Sequence, residues 1–496
     1  LFMNKLFLIS LLLFLSLNSS FSRDISTFSN YEIIQQTKVE LNFNIDFNNK
    51  VVEGIEKIYF TALKDGEVII LDTRALIIKS IIDCDTGEEL EYIIDSQYEL
   101  EGLGVPLKIF KDFNEGEQLT LLLKFNTTKE GLSIDWLEPE QTSGKKYPYM
   151  YSQGETIFNR ELFPTQDTPS VKAPYSVSLT VEKPLFALDS GIYQSKIDNG
   201  DTITYFYKQE IPIPSYLVAI AAGAIEERVV SDRTKIYGEK EVVDLAAYEF
   251  EDTENFIQIA ESYISPYLWG QYNILILPPS CPFGGMENPT LTFITSSLIA
   301  GDKSLSSVVA HEICHSWSGN LVTMNSWPDF WLNEGFTMFL ERKIIEYAFD
   351  LDTAKLDALV SYSDLSADII SYGESKSFTQ LIPDLIGRNP DDAFNKIPYE
   401  KGFNLLYYLE NLVNSESDID LFRKILRGYF DKFQYLSIRT DDFKEYFIET
   451  VKKELPSKAE DILAKIDWKK WLYAPGFPPI KNDFSNKYAE EIENDV

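Results

Sequence analysis

The sequence predicts a multidomain α+β protein: an antiparallel β domain first, then a domain that begins as mixed α/β and becomes mainly helical. Three features predict it. Apolar and polar residues alternate through much of the first 225 residues, helical spacing takes over after about Arg228, and a break rich in proline and glycine falls at Ala474–Pro479. With 496 residues, 44% of them apolar and 14% aromatic, the chain is long enough for roughly two or three domains with substantial cores, which excludes disorder as its dominant state.

The first element lies outside the fold. Leu6–Leu17 is almost wholly apolar behind Lys5 and is followed by Asn18, Ser19, Ser20, Phe21 and Ser22, the layout of a secretory signal peptide cut before Arg23. Such a run is too short for a comfortable membrane span. Residues 1–22 therefore predict a secreted or periplasmic protein with no integral membrane segment after cleavage.

Residues 23–227 are the expected β domain. Val39, Leu41, Phe43, Ile45 and Phe47 interleave with Glu40, Asn42, Asn44 and Asp46, the period-two pattern of a half-buried strand. Similar runs at Gly66–Ile82, Leu119–Phe125, Tyr175–Val181 and Thr202–Tyr207 are separated by Gly, Pro, Asn and Asp clusters. Residues 228–470 form the second domain, with a strand at Lys235–Tyr237, a helix at Thr253–Tyr263 and a strand at Tyr272–Leu277. Helical patterns follow at Leu305–Trp317, Trp331–Tyr347, Tyr399–Leu412 and Ile419–Phe430. Residues 471–480 read as a stiff Pro-rich linker, and 481–496 as the start of a further unit.

Lys and Arg number 45 against 78 Asp and Glu, a formal charge of −33. A surface of that sign repels phosphate backbones, so nucleic acid is not an expected partner, whereas cations such as free peptide amines are mildly attracted. Cys84, Cys281 and Cys314 are too few and too scattered for a disulfide-stapled scaffold.

The chain has two histidines, and they stand four residues apart in His311, Glu312, Ile313, Cys314, His315. Within a helix that spacing puts both imidazoles on one face, one turn apart, where a single ion is held by both. Gly319 and Asn320 stop the helix and let the chain return, and Glu334, nineteen positions after His315, offers the carboxylate that completes a His₂Glu zinc site. Glu312 neighbours a ligand without sharing its direction and is placed to take a proton from zinc-activated water. Glu341, two turns beyond Glu334 on the same helix face, is placed to orient a histidine. Cys314 reads as a core residue.

These residues, together with Gly284, Gly285, Met286, Glu287, Asn288 and Pro289, resemble the zinc aminopeptidases of the aminopeptidase N and leukotriene A hydrolase family. Gln166–Lys172, Pro398–Phe403 and Trp471–Pro479 are most similar to the branch holding leukotriene A hydrolase and aminopeptidase B. The resemblance implies an N-terminal β domain, a thermolysin-like zinc catalytic domain and a helical closing domain, the last largely missing from this chain. It implies that Glu287 binds the substrate's α-amino group, that Gln153, Gly154 and Glu155 form a second amine-binding segment, and that Phe283, Gly284, Gly285, Met286 and Asn288 line the substrate. By the same likeness Tyr399 donates a hydrogen bond to the tetrahedral oxyanion. The implied activity is release of N-terminal amino acids from short peptides bearing a free amine. The alternative is lipid epoxide hydrolysis at the same zinc, and three residues weaken it. Glu155 stands where the lipid hydrolase pattern has glutamine, and Phe283 and Phe394 replace tyrosines of its pocket.

Overall fold

The structure, a computed structural model, describes residues 23–96, 102–281 and 283–495. The signal-peptide expectation for residues 1–22 lies outside the described residues. The β portion is built on a seven-stranded sheet whose order is Ile192–Asp198, Thr202–Pro214, Lys172–Glu182, Ile34–Asp46, Val51–Ala62, Gln118–Thr127 and Leu76–Asp83. Every neighbour pair is antiparallel except Ile34–Asp46 with Lys172–Glu182, which run parallel because the intervening strands build the rest of the domain. Alternation sets the register: Val39, Leu41, Phe43 and Ile45 are buried in the core.

The run at Gly66–Ile82, one stretch by pattern, is two strands in different sheets. Gly66–Thr73 pairs with Val105–Phe113 in a three-stranded sheet, and Leu76–Asp83 pairs with Gln118–Thr127. A break at Arg74 and Ala75, the latter at φ 51°, divides them.

A five-stranded sheet follows, in the order Ile225–Val229, Lys235–Glu239, Asn273–Leu277, Leu291–Thr295 and Gly285–Met286. Gly285–Met286 is an edge, antiparallel to Leu291–Thr295. Helices cover it: α1 (Val243–Glu249), α2 (Thr253–Tyr263), α3 (Ser307–His315) and α4 (Trp331–Ala348). Beyond them lie α5 (Leu351–Tyr372), α6 (Gly402–Asn414), α7 (Leu421–Phe433), α8 (Thr440–Glu454), α9 (Ala459–Leu463), α10 (Trp468–Tyr473) and α11 (Lys487–Asp495). Helix α5 escaped the sequence reading because only a minority of its positions are buried, so its apolar stripe is thin; Asp350 caps it by accepting from the Thr353 N–H at 2.7 Å. The expected helix Tyr399–Leu412 begins later, at Gly402, and Ile397–Lys401 forms a π-helical turn in front of it.

One core runs through both portions without interruption, from Ile34 to Phe484. The segment Gln166–Lys172 sits at the junction. Gln166 bonds to both backbone groups offered by Ile34 and Gln36, while Ser170 Oγ donates to Asn325 O at 2.6 Å and Lys172 Nζ to Asn320 O and Leu321 O at 3.0 Å each. The expected linker at 471–480 is corrected: Trp471 is buried within α10, and Ala474 and Gly476 both accept hydrogen bonds from the buried Lys401. Farther on, Phe484 stacks on Phe403 at 5.8 Å, so this stretch is docked chain and not a spacer. Prolines keep it extended, and burial of Phe484 and Trp471 holds it down. Among the described residues no helix is long and apolar enough to cross a membrane.

Candidate active site

Helix α3 carries His311 and His315 on one face, and the first turn of α4 carries Glu334 against them. The two Nε2 atoms are 3.2 Å apart, and Glu334 Oε2 lies 3.4 Å from His311 Nε2 and 3.5 Å from His315 Nε2. Tetrahedral ligands about 2.0–2.1 Å from a zinc ion stand about 3.3 Å from one another, so the triangle has the size one zinc requires. Glu334 Oε2 is buried without a hydrogen-bond partner, as expected of an atom reserved for a metal.

The remaining ring nitrogens are occupied. His311 Nδ1 is 3.0 Å from Glu341 Oε2, and His315 Nδ1 is 2.9 Å from Ser318 O and 3.2 Å from Thr337 Oγ1. A carbonyl only accepts, so His315 carries its proton on Nδ1 and turns a lone pair inward at Nε2; the Glu341 carboxylate imposes the same tautomer on His311.

Glu155, Glu287 and Glu312 face the same space: carboxylate oxygens of Glu155, Glu287 and Glu334 lie within 4.8 Å of one another, as do oxygens of Glu287 and Glu312 with a ring nitrogen of His315. Glu155 Oε1, Glu287 Oε1 and Glu312 Oε2 are all buried and unpartnered. Crowding of like charge makes this a site for cations. Burial opposes charge on His315, yet Glu287 and Glu334 overcome it and lift its pKa to about 9, so without zinc Nε2 also holds a proton, which the metal displaces to take the lone pair. Burial would raise Glu334, but the two imidazoles hold it down to about 2. Burial lifts Glu312 to about 8, and burial with the neighbouring Glu287 pushes Glu155 well above its usual range.

Gly285 is required where it stands: a Cβ there would fall 2.2 Å from Glu312 Oε1. The edge strand Gly285–Met286 thereby comes up against the base. Gln153 Nε2 lies 3.2 Å from Met286 Sδ, which brings the two expected substrate segments together. Gly154 and Asn288 are buried, and Gly284 is exposed. Tyr399 stacks on His311 with ring centres 6.0 Å apart, and Phe330 and Phe394 lie edge-on to it at 6.2 Å each. Phe283 touches Phe394 at 6.2 Å, so both tyrosine replacements border the site. Cys314 is fully buried in the core and takes no part in the ligand clusters.

Residues 248–471 match the family model of the peptidase family M1 domain, and residues 29–217 that of the peptidase M1 N-terminal domain. A leukotriene A-4 hydrolase from Xenopus laevis is 37% identical over 470 residues, 94% of this chain and 76% of that protein. The chain belongs to peptidase family M1. A leucine aminopeptidase 2 from Candida glabrata is 41% identical to this M1 peptidase over 472 residues, 95% of the chain and 70% of the relative. Native leukotriene A4 hydrolase from Saccharomyces cerevisiae superposes with a TM-score of 0.84 at 38% identity, covering 94% of this chain and 72% of that one. An M1 zinc metallopeptidase from Deinococcus radiodurans, at 20% identity and a TM-score of 0.70, shares the fold; this chain covers 99% of it. As an M1 peptidase the protein is a zinc metalloenzyme, and the His311, His315, Glu334 triangle fits the ion.

Several residues around this M1 site were not legible beforehand. Ser318 and Thr337 orient His315, Asn320 Nδ2 donates to Glu287 O at 2.8 Å, and Arg342 forks onto Glu400 beside Tyr399. Their chemistry is ordinary, and only their contacts distinguish them. Asn320 and Asn333, polar residues flanking the motif in otherwise apolar stretches, were the available signal.

Proposed function

We propose that this M1 peptidase is an aminopeptidase that removes single residues from short peptides, with His311, His315 and Glu334 holding one zinc ion. The observation that carries the reading is the pair of buried carboxylates, Glu155 and Glu287, each with an unpartnered Oε1, beside the ligand triangle. A free ammonium satisfies both, and its position then fixes which peptide bond reaches the metal. Zinc held by the triangle supplies a Lewis acid that polarises the scissile carbonyl and acidifies a water. The substrate backbone aligns along the open edge of Gly285–Met286. Glu312, next to the ligand His311 and facing the same space, takes the attacking water's proton and passes it to the leaving amine. Tyr399 donates its O–H to the oxyanion that develops on the substrate carbon.

An aminoacyl anilide with a free and with an acetylated amine tests this. Acetylation is expected to lower kcat/KM by about 30-fold or more, the worth of a buried charge-assisted contact, and chelation of the metal to abolish turnover. Equal rates on both substrates overturn the reading.

A second reading, hydrolysis of a lipid epoxide at the same zinc, is favoured by the 37% identity to a leukotriene A-4 hydrolase. Glu155, Phe283 and Phe394 speak against it, and turnover of an allylic epoxide fatty acid decides between them. Export remains part of the proposal: the apolar run Leu6–Leu17 supports it, and a mature protein starting at Arg23 is its test.

A further inference from the structure

We propose that Lys401 is a positioning residue for Tyr399, and that through it the backbone of Ala474–Gly476 belongs to the apparatus that fixes the oxyanion donor. The inference rests on the role given to Tyr399 above.

Lys401 is fully buried. Its ammonium donates to three backbone carbonyls, Thr379 O at 3.0 Å, Ala474 O at 2.9 Å and Gly476 O at 2.8 Å. Three protons meet three acceptors, and no carboxylate takes part. Burying a cation this way is expensive, and an apolar side chain would fill the space at lower cost in stability. Its place in the chain supplies a reason. Lys401 ends the π-helical turn Ile397–Lys401, two residues after Tyr399, and such turns concentrate at functional sites.

The end of the turn and the residue after it are fastened to two separate parts of the protein. Glu400 receives both guanidinium nitrogens of Arg342 in α4, at 2.9 Å each. Gly402 abuts Gly335, where a Cβ would lie 2.8 Å from the Gly402 Cα, so the neighbour of Glu334 and the neighbour of Lys401 are in backbone contact. These two contacts tie Tyr399 to the metal-binding helix. Lys401 ties it to the Thr379 loop and the C-terminal stretch, which are themselves joined by Gly476 N–H donating to Thr379 Oγ1 at 2.8 Å and Gln380 Nε2 to Tyr473 O at 2.8 Å. These three fastenings hold the turn that seats the tyrosine ring against His311, at 6.0 Å between ring centres. An oxyanion donor displaced by about 1 Å loses about 100-fold in rate.

The test is a double-mutant cycle in the full chain, reading kcat, KM, zinc content and Tm for Lys401→Met, Tyr399→Phe and the double variant on an aminoacyl anilide. Lys401→Met is expected to lower kcat by about 10- to 100-fold with KM within about threefold and one zinc retained, as for an interaction made in the transition state. In the Tyr399→Phe background the same substitution is expected to change kcat by less than about twofold, because the donor it positions is gone. Equal losses in both backgrounds, or no loss in either, overturn the inference while leaving the aminopeptidase reading intact. A Tyr399→Phe enzyme with native kcat removes the role of Tyr399 and the inference with it. Should Lys401→Met fail to fold, Thr379→Val, which removes the hydroxyl that takes Gly476 N–H and leaves the ammonium paired, is expected to show the same cycle with a kcat loss of about 3- to 10-fold; an additive effect there overturns the inference equally.

Discussion

Two regions of this protein bury several acidic side chains each, and they treat them in opposite ways. In the β portion Arg160 is fully buried among Asp24, Asp72 and Asp167. Its Nε donates to Asp167 Oδ2 at 2.9 Å and its Nη2 to Ser26 O and Asp167 O at 3.0 Å each. The aspartates are saturated as well: Asp72 accepts from Phe28 N at 2.7 Å and Asp167 N at 3.0 Å, Asp24 from Ser26 and Thr168, and Asp167 from Ser215 Oγ at 2.7 Å. Around the metal triangle, by contrast, Glu155, Glu287, Glu312 and Glu334 each keep an oxygen buried and unpartnered. A saturated network fixes the first strand to the domain, whereas an unsaturated one is built to be completed by a zinc ion and a substrate ammonium. Several unpaired buried carboxylates converging on one space are therefore the mark of function here; buried charge as such is not, and neither is a lone unpartnered oxygen such as those of Asp189 and Glu249, which join no ligand cluster.

The comparison breaks most readily at Glu312. Glu312→Gln is expected to keep one zinc and lose about 10³- to 10⁴-fold in kcat, while Tm stays level or rises because a neutral amide replaces an unsatisfied buried carboxylate; kinetics, metal analysis and thermal melts on one preparation check it. Arg160→Met should do the reverse, costing about 3–5 kcal/mol of stability by stranding three buried aspartates, with kcat per folded molecule unchanged in denaturant titration and active-site assays. Glu287→Gln comes next, with a loss of about 2–4 kcal/mol in transition-state binding, about 30- to 1000-fold in kcat/KM, on substrates with a free amine only. If it is equally damaging on acetylated substrates, Glu287 is not the amine anchor.

The smallest effect sharpens the comparison with a lone buried carboxylate. Glu56, in strand Val51–Ala62 between Leu41 and Leu123, is fully buried with both oxygens unpartnered, yet lies in the β core away from any ligand set. Burial alone raises its pKa well above the ordinary value. The folded protein therefore holds a proton there that the unfolded chain has released above about pH 4.5. The unfolded state binds fewer protons, so stability falls as pH rises from that point toward the folded pKa, by at most about 1.4 kcal/mol per pH unit. Glu56→Gln should remove that slope, and urea unfolding at pH 5 and pH 8 should show the variant gaining on the parent at the higher pH. A constant difference would mean that Glu56 has a partner.

Much of the fold was legible because it repeats locally. Period-two alternation placed the strands around Val39–Phe47 and Leu119–Phe125, and helical spacing placed α2 and α4, since both signals arise from one element facing one core. Where an element's environment is set by distant chain, the pattern failed: Gly66–Ile82 divides between two sheets, α5 shows a thin buried stripe, and 471–480 is docked by Lys401 instead of spanning free space.

The candidate site divides the same way. Spacing within one helix and a return through Gly319 and Asn320 were enough to name His311, Glu312, His315 and Glu334, because ligand geometry over a single helix–turn–helix is a matter of local rise and rotation. The family resemblance had already paired Glu155 with Glu287 and helix spacing had pointed to Glu341, but only tertiary structure decided that Gly285 makes room for Glu312 and that Ser318 and Thr337 fix the tautomer of His315. Glu155 and Glu287 come within a few ångströms from more than a hundred residues apart, and Gly285 reaches Glu312, and Thr337 reaches His315, across more than twenty. Separation of that kind leaves no periodicity in a sequence, because it is set by how whole sheets and helices pack and not by any repeat along the chain.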